Sequence, residues 1–124
     1  SLLRYLHQLE DMPWAVIGDF NEAMWGFEHL SDTPRSVGQM IDFQDVLELC
    51  ELGDLGFSGF PFTFDNRRAG RENVKVRLDR AVANNDWRDL FSKSEVVHLV
   101  APSSDHLPIL LKCSALHDRP EPSK

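Results

Sequence analysis

The period of the apolar positions changes several times along the chain, and each change predicts a different element. Leu2, Leu3, Leu6 and Leu9 share one helical face up to Asp11-Met12-Pro13, where proline disfavours helix in the residue before it. The apolar run over 14–18, WAVIG, predicts a strand. Residues 19–37 scatter Asp, Ser, Thr and Pro among Met24, Trp25 and Phe27 and predict a loop. From Val37 the spacing Val37, Met40, Ile41, Val46, Leu47, Cys50, with Phe43 beside it, is helical; Ser36 is placed to cap its start and Gly53 to end it. Strands are predicted over 53–57, 62–65 and 74–82, the last with Val74, Val76 and Leu78 alternating against Lys75, Arg77 and Asp79. Asn84-Asn85-Asp86 can cap a short helix over 87–92. Strands over 96–101 and 109–113 then close a single domain, residues 1–114, and the polar tail 115–124 is expected to be disordered.

Composition narrows the class. With 42% hydrophobic and 27% charged residues the 124-residue chain has the balance of a soluble globular domain. It has no apolar run of about 18 residues and therefore no expected membrane span. No signal-peptide pattern opens it, so an intracellular product is expected, a setting that includes the nucleus. The net charge of −7 argues against broad nonspecific nucleic-acid binding and leaves room for a local basic patch. Cys50 and Cys113, too few for a disulfide framework or a zinc site, lie among apolar neighbours and are read as reduced core residues. Trp14, Phe43, Phe57, Phe60, Phe62 and Phe64 sit at strand or helix spacing and are assigned to the core. Trp25, Phe27 and His29, in the loop after the first strand, are less clearly buried, and the plainest reading of that loop is a hydrophobic cover over the strand ends. The chain opens at Ser1 inside a helical pattern, which reads as a fragment or a processed product.

Candidate chemistry lies in four clusters. Asp19 and Asn21 follow the first apolar strand; if strand geometry continues they project from one face and can orient a water, a metal ion or a phosphate oxygen. Capping a turn is the competing reading. Asp79, in VRLDR, is either a salt-bridge partner of Arg77 or Arg80 or a carboxylate that fixes the tautomer of a histidine. Asp105 and His106, adjacent in an extended segment, point different ways and can serve a cation and a proton or phosphate separately. Arg67, Arg68, Arg71, Lys75 and Arg77, set against Glu72 around the Ala69-Gly70 turn, form a basic β-hairpin that either binds phosphate or only aids solubility.

Taken in order, "PWAVIGDFNEA", "GFPFTFDNRR", "VRLDRAVANNDW" and "SDHLPILL" resemble the C-terminal half of the endonuclease/exonuclease/phosphatase superfamily, over roughly residues 1–114 and closest to the endonuclease domains of plant non-LTR (LINE-type) retrotransposons. The resemblance implies an α+β fold, half of a DNase I-like four-layer sandwich with mostly antiparallel sheet and helices on one face. It implies that Asp19 and Asn21 position the attacking water and contact the scissile phosphate, that Asp79 hydrogen-bonds the catalytic His106, and that Asp105, with Asp19, binds Mg²⁺ or Mn²⁺. It further implies that the hairpin arginines and Lys75 lie along DNA. The family's N-terminal half, with a metal-binding Glu, has no counterpart in the sequence; Glu10, Glu22 and Glu28 stand in the wrong context to replace it. Without that half, a sheet face lined by Val16, Leu78 and Ile109 is expected to lie open to water. Two readings follow: a portion of a Mg²⁺-dependent phosphodiesterase, or an inactive remnant that binds or self-associates. The same site residues also serve inositol phosphatases and RNA-directed members, and the basic hairpin favours DNA.

Overall fold

The structure, a computed structural model, describes residues 12–101 and 103–114. The expected helix on Leu2 to Leu9 and the tail 115–124 lie outside the described residues. The architecture is α+β with antiparallel pairing throughout its named strands. One sheet has the order β1 (Ala15–Asp19), β6 (Asp79–Ala83), β3 (Gly53–Asp54); a second has β2 (His29–Leu30), β5 (Lys75–Val76), β4 (Phe64–Asp65); β7 (Glu95–His98) pairs with β8 (Ile109–Lys112). Helix α1 spans Val37–Leu49 and α2 spans Asn85–Leu90.

Local chemistry sets the ends of both helices. Ser36 Oγ accepts the Gln39 N–H and Asn84 Oδ1 accepts the Trp87 N–H, so each helix starts at a polar side chain that takes up an otherwise orphaned donor. Gly53 does not end α1, contrary to expectation. Glu51 takes the left-handed conformation (φ 57°), its N–H reaching the Glu48 carbonyl and that of Leu52 reaching Leu47, and Gly53 begins β3 instead.

The buried stripe of α1 is Met40, Phe43, Leu47 and Cys50, while Val37, Ile41 and Val46 are exposed. Leu47 and Cys50 pack with Leu52 and Val82, and Trp14, Val16, Phe20, Met24 and Phe43 close over them. Met40 joins a second cluster with Ala23, Val76 and Leu78, flanked by Phe64. Val16 and Leu78 are thus covered, not open to water; on the opposite face of β1, Ile17 is exposed. Phe57, Phe60 and Cys113, all expected in the core, are also exposed. In the region read as loop, β2 pairs with β5, and Phe27 projects into solvent.

The largest departure is at 74–82. The alternation there predicts one strand, yet β5 stops at Val76 and β6 starts at Asp79. Arg77 and Leu78 lie between them, and Arg77 N–H donates to the Glu28 carbonyl. Arg77 and Arg80 turn inward to Glu28 and Asp54, with the Arg80 guanidinium 2.6 Å from Glu28 and that of Arg77 2.7 Å from Asp54. Charges this deeply buried persist only when paired and hydrogen-bonded. Two cations and two anions satisfy that condition.

Candidate active site

Strand pairing builds the site. Asp19 ends β1 directly opposite Asp79, the first residue of β6, and neighbouring strands put paired residues on one face. His106 reaches the same point from the loop before β8, held by a bridge to Phe64 and by Leu107 N–H donating to the Thr63 carbonyl at 2.7 Å. Its Nδ1 lies 2.9 Å from Asp79 Oδ2, and its Nε2 lies 3.9 Å from Asp19 Oδ2. A carboxylate only accepts, so Nδ1 carries the proton and Nε2 is the free acceptor while the ring is neutral. The Asp79 side is the sheltered end, with 14% of that side chain exposed against 37% for Asp19. One imidazole nitrogen is therefore clamped and the other faces an accessible carboxylate.

The ligand atoms of Asp19, Asp79 and His106 all lie within 4.8 Å of one another, a spacing that can hold a divalent cation. Carboxylate oxygens are the hard ligands such ions prefer.

Not every expected site residue joins them. β1 ends at Asp19, so strand alternation does not carry on to Asn21; Asn21 is left-handed (φ 58°) and its N–H donates to Asp19 Oδ1 at 2.7 Å. The turn-capping role and the site role thus coexist in Asp19, one oxygen serving each. Asp105 lies outside the cluster and lines a cavity of about 170 Å³ with Phe60, Phe62, Phe64 and Arg67. Glu22 is held by Arg35 at 2.7 Å and Glu28 by the two buried arginines, so neither carboxylate is free for an ion.

The basic hairpin exists as β4 and β5 around a loop, with Arg67, Arg68 and Arg71 exposed and Lys75 half-buried. The loop is tied internally: Asp65 Oδ1 accepts from Arg67 N–H and Asn73 Nδ2, and Asn66 Oδ1 from Arg68 and Val74 N–H. The Arg67 N–H bond, opposed by slight burial and joined by Asn73, holds the Asp65 carboxyl below its ordinary range. Arg77 departs from the basic set. It is 3% exposed and committed to Glu28 and Asp54, which removes it from the exposed basic face of the hairpin.

Sequence alone assigns no site role to Thr63 and places Phe64 only in the core. Thr63 Oγ1 accepts the N–H groups of both Leu78 and Asp79, and the Phe64 ring meets the His106 ring edge-on at 5.2 Å. The TF dipeptide before the hairpin was the available signal, legible only once strand 62–65 is placed beside Asp79.

No curated protein matches the chain. The sequence profile of the Endonuclease/Exonuclease/phosphatase family matches residues 1–106, a span that holds Asp19, Asp79 and His106 in order. Antiparallel sheet with few helices fits a partial DNase I-like fold. The clamped imidazole, the facing carboxylate and the profile match converge: the chain belongs to the endonuclease/exonuclease/phosphatase family.

Proposed function

We propose that the chain carries the hydrolytic rim of a Mg²⁺- or Mn²⁺-dependent phosphodiesterase, and that the parent enzyme is a retroelement-type DNA endonuclease. The observation behind this reading is the pair of contacts on His106, 2.9 Å to Asp79 and 3.9 Å to Asp19. The longer span exceeds a direct hydrogen bond and suits one bridging water or phosphoryl oxygen. Asp19 accepts a proton from that water as its oxygen attacks phosphorus and the bond to the leaving oxygen breaks. Asp79 holds the ring of His106 through Nδ1; when the ring carries both protons its Nε2–H addresses the developing charge and passes its proton to the leaving oxygen. Asn21, on the turn fixed by Asp19, contacts a phosphate oxygen. A bound divalent cation would supply Lewis-acid stabilisation to the phosphoryl oxygens, with Asp19, Asp79 and His106 as the residues that fit it and Asp105 as a further oxygen donor at the rim.

The hairpin whose Phe64 bridges His106 carries exposed Arg67, Arg68 and Arg71, with Lys75, on an otherwise acidic chain, and this supports DNA over a small phosphate ester. An N-terminal complement bearing a Glu would complete the cation's ligands. The test is nicking of supercoiled plasmid in Mg²⁺ by the chain alone and joined to such a complement. Nicking by the joined form, lost in His106→Ala, is expected; joined protein that hydrolyses an inositol phosphate and leaves plasmid intact overturns the DNA assignment.

A further inference from the structure

We infer that Thr63 is a positioning residue of the Asp79–His106 pair, its side chain fixing the Asp79 backbone while its own main chain holds the segment of His106; this rests on the reading of that pair as the working centre. The β5–β6 segment is interrupted at Arg77 and Leu78, immediately before Asp79. At the interruption the N–H groups of Leu78 and Asp79 both donate to Thr63 Oγ1, at 2.9 and 3.0 Å. A hydroxyl oxygen has two acceptor sites, and both are used.

The main chain of the same residue reaches in two further directions. Thr63 N–H donates to the Val76 carbonyl at 3.1 Å, tying it to β5 before the break. The Thr63 carbonyl accepts from Leu107 N–H at 2.7 Å, tying it to the residue after His106. The neighbouring Phe64 and Asp65 also join the two segments, Phe64 by pairing with Val76 and bridging His106, and Asp65 by pairing with Lys75 and donating its N–H to the Asp105 carbonyl. Thr63 differs from them in bonding to Asp79 itself as well as to the residue after His106.

Two properties suit Thr63 to the task. It is fully buried, so water cannot replace a deleted hydroxyl. Its β-branched side chain is stiff about χ1, which fixes where Oγ1 points. Serine keeps the oxygen and loses the branch; valine keeps the shape and loses the oxygen.

That contrast defines the experiment, carried out on the chain itself by NMR of the imidazole protons, with Asp79→Ala identifying the hydrogen-bonded His106 Nδ1–H resonance. The resonance is expected in the unsubstituted chain and in Thr63→Ser, and its loss is expected in Thr63→Val that still unfolds cooperatively. A purely structural residue would lower stability and leave the resonance in place, so its persistence in Thr63→Val overturns the inference. Should Thr63→Val not fold, Thr63→Ala decides: a cooperatively folding alanine variant that loses the resonance while Thr63→Ser keeps it supports the role of the oxygen, and persistence of the resonance in Thr63→Ala overturns it. If the unsubstituted chain shows no Asp79-dependent resonance, the paired centre itself fails and this inference with it.

Discussion

Asp79 and His106, 27 positions apart, meet through Oδ2 and Nδ1 at 2.9 Å, while the arginines on either side of Asp79 in its motif turn away from it to Glu28 and Asp54. Among the described residues, the imidazole is the side chain that the Asp79 carboxylate bonds. In the assembled domain Asp79→Asn, which keeps the shape and removes the charge, should reduce plasmid nicking about 10–100-fold. His106→Ala should reduce it about 10²–10⁴-fold. Initial rates at saturating Mg²⁺ check both.

Glu28 accepts from Arg77, Arg80 and the Met24 N–H inside the fold. Glu28→Ala leaves two buried guanidinium groups short of a partner and should destabilise the chain by about 3–5 kcal/mol, read as a shift of the urea midpoint. The same substitution at Asp32, whose contact to Arg71 is solvent-exposed, should change stability by less than about 1 kcal/mol.

His98 predicts a pH dependence. Its Nδ1–H donates to the Phe60 carbonyl at 2.6 Å, its ring stacks on Phe57, and Nε2 is buried without a partner among the described residues. Burial pushes its pKa below the ordinary 6.5, against the opposing pull of the Phe60 carbonyl and with the help of Arg77. A base with a depressed folded pKa binds fewer protons folded than unfolded, so stability is complete above 6.5 and falls as pH drops below it. Asp54 adds a second loss at lower pH. Burial raises its pKa, but the hydrogen bonds and charge of Arg77, then Arg80 and the Gly56 N–H, bring it below 3.8, so its contribution disappears as pH falls through that lower value. Thermal melts of the chain between neutral and acidic pH should show the first loss, and His98→Gln should flatten it.

Glu51 occupies a left-handed position that glycine fills without steric penalty. Glu51→Gly should raise stability by up to about 1 kcal/mol, seen as a higher denaturation midpoint.

For the hairpin, replacing Arg67, Arg68 and Arg71 with Ala should weaken DNA binding by the assembled domain and lower the slope of log K against log salt by about 1 for each phosphate contact removed. Arg77→Ala belongs to a different class and should unfold the chain, because its guanidinium anchors Glu28 and Asp54.

Much of the candidate site was legible because its ionisable residues border apolar runs: Asp19 follows WAVIG and His106 precedes the ILLK strand. The ends of α1 and α2 were half legible. Ser36 and Asn84 announce the starts, whereas the stop at Glu51 rests on a backbone conformation that glutamate gives no reason to expect. The interruption at Arg77–Leu78 was hidden, since Val76 and Leu78 keep the two-residue alternation across it. The backbone partners at the break, the Thr63 hydroxyl and the Glu28 carbonyl, are 15 positions or more away in sequence. The burial of Arg77 and Arg80 was hidden for the same reason: their partners Glu28 and Asp54 are distant in sequence, and a basic run beside a hairpin looks like surface.

The inward turn of those two arginines bears on how copies of such a sequence decay. A duplicate selected only to remain folded would keep both guanidinium groups, because losing either leaves Glu28 and Asp54 to share a single cation, yet it would be free to replace the acid between them. Arginines surviving in an RLDR segment therefore testify to an intact scaffold, and only the aspartate testifies to chemistry.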